Sequence, residues 1–358
     1  MRGPGTALRT PTRPTYHRVL RAPLALVAAV LALAACAPAA GAWQLVIEGA
    51  GEGHGVGMSQ DGALGLAKHG FTDTQILAHY YSGTAIGAAP ANAVVRVLEG
   101  SKVVKVPLER YVRGVVAAEM PASWPLAALE AQAIASRTYA LTSHAGGSRF
   151  DVYADTRSQV YKGASAETSQ TNAAIASTAG QIVTYAGQPA TTYFFASSGG
   201  HTEDVQYAFE GSEPEPWLEA VTDPYEGSST RWKYTLSSTV AAARLSGLFK
   251  GSLRGIEVLK RGASPRIVLA AVLGSRGSTR VSGTVLEYRL GLPSTWAYFG
   301  LRNGSTTKPE PDLSGHPENV PLPATTPPAP PASTPATPQG GSEGPPAPTS
   351  GTGGASAG

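Results

Sequence analysis

The chain has 358 residues, among them 42 glycines and 29 prolines, with 15% charged and 7% aromatic residues and a formal net charge of +3. Arg2, Arg9, Arg13, Arg18 and Arg21 carry all the charge ahead of Cys36; taking those five from +3 leaves −2 for the rest. A slightly acidic body without a Lys/Arg run interleaved with aromatics has no electrostatic footprint for nucleic acid.

The first element is an apolar stretch, Leu24 to Ala35, behind Arg18 and Arg21. It is short for a bilayer span and has the length of a signal-peptide core. It ends Leu33-Ala34-Ala35-Cys36, a lipobox pattern that makes Cys36 the acylated first mature residue. Cleavage after Ala39, in Ala37-Pro38-Ala39, is the alternative. Either way the chain is expected to be exported to the cell envelope, with 1–36 as a signal peptide with lipobox and, in the lipobox reading, a lipid at Cys36 holding it to a membrane. Cys36 is the only cysteine, which excludes a disulfide or a thiolate metal ligand from the folded body.

A folded domain is expected over 42–302. Gln44 to Glu48 reads as a strand, followed by a Gly-rich loop, Gly49 to Gly57. Helices are expected over Gln60–His69, from a Thr72-Asp73 cap through Tyr81, and over Leu108 to about Ala118. Val94–Val97 and Val103–Val106 flank Glu99-Gly100-Ser101 as a hairpin. Pro121 forbids continuation of the third helix. A longer helix follows over about Pro125–Thr142, with Leu126, Leu129, Ala133 and Ala140 inward. Further strands are expected at 181–185, 190–196, 256–260, 267–273 and 279–282. Helices and strands mix without regular alternation, which defines an α+β class with a mixed, largely antiparallel sheet and packed helices. From about Asn303 onward Pro, Gly, Ser, Thr and Ala dominate, and 303–358 is expected to be a disordered tail.

Several runs hold candidate chemistry. Glu119 ends an apolar helix and is followed at once by Met120-Pro121. A carboxylate there is either poorly solvated, with a raised pKa suited to a general acid, or simply a helix end reaching water. The next helix carries Gln132, Arg137 and Tyr139; an inward Arg137 calls for a carboxylate, from Asp151, Asp155 or Glu130, or for a ligand. Gly51-Glu52-Gly53-His54-Gly55-Val56-Gly57-Met58-Ser59-Gln60 lets the backbone approach a ligand or make a tight turn, and lacks the Lys-Ser/Thr ending of a phosphate loop. Ser197-Ser198-Gly199-Gly200-His201 follows an apolar strand and is either a ligand contact or a turn. The seven histidines show no zinc-hydrolase spacing.

Together these runs resemble the SpoIID/LytB family of cell-wall proteins. The matching segments are Val106-Pro107-Leu108-Glu109-Arg110-Tyr111, Glu119-Met120-Pro121, Leu129-Glu130-Ala131-Gln132-Ala133, Ser136-Arg137-Thr138-Tyr139, Gln159-Val160-Tyr161, Ser197-Ser198-Gly199-Gly200 and Gly53 to Gln60. The resemblance implies one SpoIID-like domain and a peptidoglycan lytic transglycosylase with Glu119 as its single acid/base. His54, Ser59, Gln60, Gln132, Arg137, Tyr139, Gln159, Tyr161, Ser197, Ser198 and His201 would line or brace the substrate groove. It also implies an alternative, a non-catalytic enhancer of a cell-wall amidase, with peptidoglycan strands and that amidase as partners. Two departures stand out. The Gly-His-Gly run precedes the rest of the domain here, whereas in the sporulation proteins it lies toward the C-terminal end. The segment Asp151 to Gln159 lacks the His and Cys through which some members bind zinc, so neither a metal nor a cofactor is expected.

Overall fold

A computed structural model of the chain describes residues 43–226 and 230–303. The signal segment, Cys36 with its lipobox, and the tail beyond Asn303 lie outside the described residues. In chain order the elements begin β1 (Trp43–Ala50), β2 (Met58–Ser59), α1 (Gln60–Lys68), α2 (Asp73–Tyr80), β3 (Ala85–Ala88), β4 (Val94–Glu99) and β5 (Lys102–Pro107). There follow α3 (Leu108–Glu119), α4 (Leu126–Thr142), β6 (Val152–Tyr153), a 3-10 turn at Gly163–Ala166, α5 (Ser169–Ser177), β7 (Gln181–Tyr185), β8 (Gln188–Pro189), β9 (Phe194–Phe195) and α6 (Val205–Ala208). The last are β10 (Arg231–Ser237), α7 (Ser238–Arg244), β11 (Phe249–Lys250), β12 (Leu253–Arg261), β13 (Ile267–Gly274), β14 (Gly277–Ser282), α8 (Gly283–Leu290) and β15 (Ala297–Asn303).

The class is α+β as expected, and the sheets are largely antiparallel. The orders are β10-β1-β15, β11-β14-β13-β12, β3-β7-β8 and β5-β4-β6, plus the pair β2-β9. Among the described residues only β2/β9 and β4/β6 run parallel. No helix among the described residues is long and apolar enough to cross a membrane.

Two hydrophobic cores form. The first gathers Met58, Leu66, Ile76, Leu77, Val95, Val97, Val112, Val115, Val116, Leu129, Ile134 and Val183 around α3 and α4. The second gathers Leu45 and Ile47 of β1 with Leu253, Ile267, Val272, Leu286 and Leu290. Strand β1 therefore belongs to a unit completed by residues 231–303, because it pairs antiparallel with both β10 and β15.

Helix α3 buries Leu108, Tyr111, Val112, Val115 and Val116, one stripe at helical spacing, and stops before Pro121. Helix α4 is buried nearly all round by small residues, so Gln132, Ser136, Arg137 and Thr138 must find partners inside the protein. Leu126, expected inward, is exposed, since it sits in the first turn ahead of the buried stretch. The strand expected over 190–196 contracts to Phe194–Phe195. Helices α5, α7 and α8 and strands β3, β10 and β15 were not anticipated.

Candidate active site

Glu119 closes α3, half-buried, with its side chain turned back into the first core. Its Oε1 accepts the peptide N–H of Val160 at 2.6 Å, and its Oε2 accepts Nε2 of Gln60 at 3.3 Å. The same Nε2 stands 3.4 Å from Oε1 of Gln132, whose own amide donates to Ser136 Oγ at 2.9 Å. Burial raises the Glu119 pKa above the usual carboxylate value, and the Val160 and Gln60 donors only partly oppose it. The result is a half-buried carboxyl group that holds its proton to higher pH than a solvated one, with neutral amides and no cation hydrogen-bonded to it.

Gln159, the residue before Val160, is buried. Its amide donates to Tyr111 OH at 3.1 Å and to the Ser136 carbonyl at 3.2 Å, and its Oε1 has no partner. Tyr161 stacks on Tyr111 with ring centroids 5.0 Å apart. Gln60, Gln132, Gln159 and Tyr161 thus gather round Glu119 and the segment that donates to it.

The Gly-rich loop reaches this place by pairing, despite its early position in the chain. Strand β2 lies parallel to β9, and Glu52 bridges Ser197. Gly55, at φ +90°, lets the loop wrap a buried guanidinium: a Cβ there would lie 2.5 Å from Arg266 Nε. Arg266 donates in turn to the carbonyls of His201 and Ser198, at 2.8 and 3.1 Å. Burial lowers its pKa to about 10. His54 accepts the Val56 N–H through Nδ1 and packs against Tyr193, Phe195 and Phe209. Burial first, then the Arg266 charge, brings its pKa down to about 4, so it is neutral at physiological pH. It borders a cleft of about 870 Å³ together with Tyr207, Lys260 and Glu287. Tyr139 meets the same aromatic group through Tyr193, at 5.9 Å.

Ser59, Ser197 and Ser198 converge on a carboxylate that the sequence did not single out. Glu226 accepts the hydroxyls of Ser59 (3.0 Å), Ser197 and Ser198, and the N–H groups of Ser198 (2.7 Å) and Gly199 (2.8 Å). Beside it, the buried Asp223 accepts Tyr80 OH at 2.8 Å and faces Ser198 Oγ at 3.1 Å. Burial and the neighbouring Glu226 raise the Asp223 pKa to about 7. Ser198 has one hydroxyl hydrogen for two carboxylates, which is consistent with a proton resident on Asp223.

Two expected site residues lie elsewhere. Arg137 is fully buried and forks onto Glu109 with Nε and Nη2 at 2.7 and 2.9 Å, while Nη1 donates to the Gln181 carbonyl at 2.9 Å. It ties α3, α4 and β7 together, and its partner is none of Asp151, Asp155 and Glu130. The His201 ring turns to its neighbour's carbonyl, Thr202 O, at 2.8 Å. Among the described residues no group of three or more His, Cys, Asp or Glu is placed to hold a metal ion.

The family described as SpoIID: Stage II sporulation protein matches residues 99–185, the segment holding Glu119, Gln132 and Gln159. Stage II sporulation protein D of Bacillus subtilis (strain 168) is 32% identical over 238 residues, which is 61% of this chain and 67% of that protein. Stage II sporulation protein D of Bacillus amyloliquefaciens is 28% identical over 239 residues, with the same shares. The Amidase enhancer of Bacillus subtilis (strain 168) is 39% identical over 126 residues, 35% of this chain and 17% of that protein. The chain belongs to the SpoIID family.

Proposed function

We propose that this protein is an envelope lytic transglycosylase that cuts peptidoglycan glycan strands between N-acetylmuramic acid and N-acetylglucosamine, with Glu119 as its only acid/base. The observation that carries the reading is the Glu119 carboxyl itself: poorly solvated, its pKa raised by burial, and hydrogen-bonded by neutral amides. Such a group gives its proton to the glycosidic oxygen as the bond to the muramic acid C1 breaks. Oε1 is held tightly by Val160 N–H at 2.6 Å and Oε2 only by the longer 3.3 Å contact from Gln60, so Oε2 is the oxygen that carries the proton. The sugar's 6-hydroxyl then closes on C1, and Glu119, now ionised, takes the hydroxyl proton. Because that attack is intramolecular it has a high effective concentration, and the second carboxylate of an ordinary glycosidase has no task. Gln60 supplies the amide that steadies the carboxyl between the two steps, and Gln132 holds that amide through its own carbonyl oxygen. Export and a lipid at Cys36 belong to this proposal, as the means of reaching the wall.

The relative named Amidase enhancer motivates a second reading, a wall-binding partner of an amidase that cleaves nothing itself. Supplying intact and stem-peptide-stripped peptidoglycan to the protein and to Glu119→Gln, with and without a purified cell-wall amidase, separates the two. Strand cleavage by the wild type alone supports the transglycosylase. No cleavage by either form, with amidase stimulation kept in both, replaces it with the enhancer.

A further inference from the structure

Five donors on one side chain is an unusual concentration for a carboxylate that no catalytic step uses. Glu226 takes three hydroxyls and two peptide N–H groups, all from Ser59 and the Ser197-Ser198-Gly199 turn. Ser59 is the pivot. Its hydroxyl donates to Glu226 and accepts the N–H of Gly62, capping α1, and that of Ser198, so its rotamer is fixed from three sides. The next residue is Gln60, the first of α1 and the one whose amide reaches Glu119. Asp61 continues the tie, donating its N–H to the Ala196 carbonyl at 3.0 Å.

We propose that Glu226 is a positioning residue for the reaction: by clamping Ser59 and the Ser197–Gly199 turn, it sets Gln60 against Glu119. The proposal rests on the reading of Glu119 as acid/base. Without the clamp α1 loses the anchor of its cap, and the 3.3 Å contact from Gln60 loosens. A donor withdrawn from a carboxylate favours its protonated form, so the Glu119 midpoint moves up. The groups that face Glu226 are Asp223 and Tyr80 from one side, Asp61 from α1 and the buried Arg266. Those that face Glu119 are the Gln60 amide, the Val160 N–H and Tyr111. A pH effect carried from one cluster to the other therefore passes through Ser59 and Gln60.

The test is a carboxyl-carbon NMR titration of Glu119, assigned by its loss in Glu119→Gln, in the wild type, Glu226→Ala, Gln60→Ala and the double variant. Both single variants should raise the midpoint, and the double should raise it no further. Turnover should fall on the order of 10–100-fold, the scale of a misplaced catalytic neighbour. Formate, small enough to enter the emptied cradle, should return Glu226→Ala toward the wild type and leave Gln60→Ala unchanged. Glu226→Gln keeps the side-chain volume and serves where the alanine variant fails to fold. A folded Glu226 variant with the wild-type Glu119 midpoint overturns the proposal, as does formate that stabilises Glu226→Ala without moving Glu119. The titration needs no substrate, so coupling in a protein that cleaves nothing upholds the link and rejects the transglycosylase reading alone.

Discussion

Nε2 of Gln60 lies 3.3 Å from the carboxylate of Glu119, joining two residues 59 positions apart in the chain. The contact explains how a Gly-rich run at the start of the domain serves a site built by α3 and α4. The run needs only the short parallel pairing of β2 with β9 and the bridge from Glu52 to Ser197 to be laid beside it.

The state of Glu119 gives the first prediction. Its pKa is raised in the folded protein, so its contribution to stability is complete below the unfolded carboxylate value and is lost as pH rises through the folded one. Glu119→Gln keeps an acceptor for Val160 N–H and removes the ionisation. The variant should gain stability over the wild type at pH 8 and lose that advantage at pH 4, as read by urea denaturation. Strand cleavage should fall about 10²–10⁴-fold, the usual worth of general acid–base catalysis.

Arg137 predicts the opposite pattern, a stability defect. Glu109→Ala leaves a fully buried guanidinium without its carboxylate, which costs about 3 kcal/mol. Turnover per folded molecule should hardly change. A large fall in kcat with an unchanged urea midpoint would give Arg137 the substrate contact that its burial argues against.

Gly62 should reverse a general trend. Glycine to alanine inside a helix ordinarily stabilises by about 1 kcal/mol. In α1 a Cβ at 62 would fall 2.0 Å from both Asp223 Oδ2 and Tyr80 OH. Gly62→Ala should therefore destabilise by about 1–3 kcal/mol, and should also disturb the clamp on Ser59. Equilibrium unfolding measures the sign directly.

Asp223 and His54 oppose one another in pH. Asp223, raised to about 7, keeps its proton in the folded state while the unfolded chain has lost it, so its share of stability falls as pH rises from about 4 to 7. His54, lowered to about 4, stays neutral in the fold while the unfolded chain is protonated, so its share rises over nearly the same window. Each slope is at most about 1.4 kcal/mol per pH unit. Asp223→Asn should make stability climb from pH 4 to 6.5, and His54→Asn should make it decline, with the wild type flatter than both.

Much of this was readable in the chain. The apolar stripe of α3, the proline behind Glu119 and the small-residue core of α4 are local signals, and they put Glu119 at the end of one helix and Gln132 and Arg137 inside the next. Partners were harder, because a contact across the fold leaves no periodicity. Arg137 had three plausible acids nearby in sequence, yet Asp151 is held by Arg96, Asp155 pairs with Arg157, and Glu130 accepts from Ser177. Glu226 was invisible for the same reason: its partner Ser59 is 167 positions away. In the second core α7 leaves little signal because it exposes most of its surface, whereas the alternation of Trp232, Tyr234 and Leu236 in β10 is a strand pattern that the sequence does carry.

The most direct test of the central claim is the chemistry of the new chain end. Stripped peptidoglycan is digested in ¹⁸O-labelled water by the wild type and by Glu119→Gln, and the fragments are weighed by mass spectrometry. The account predicts 1,6-anhydro-muramic ends without label from the wild type and none from the variant. Labelled reducing ends would show that water, and not the sugar's own hydroxyl, attacks. Unlabelled anhydro ends produced equally by Glu119→Gln would remove Glu119 from the mechanism.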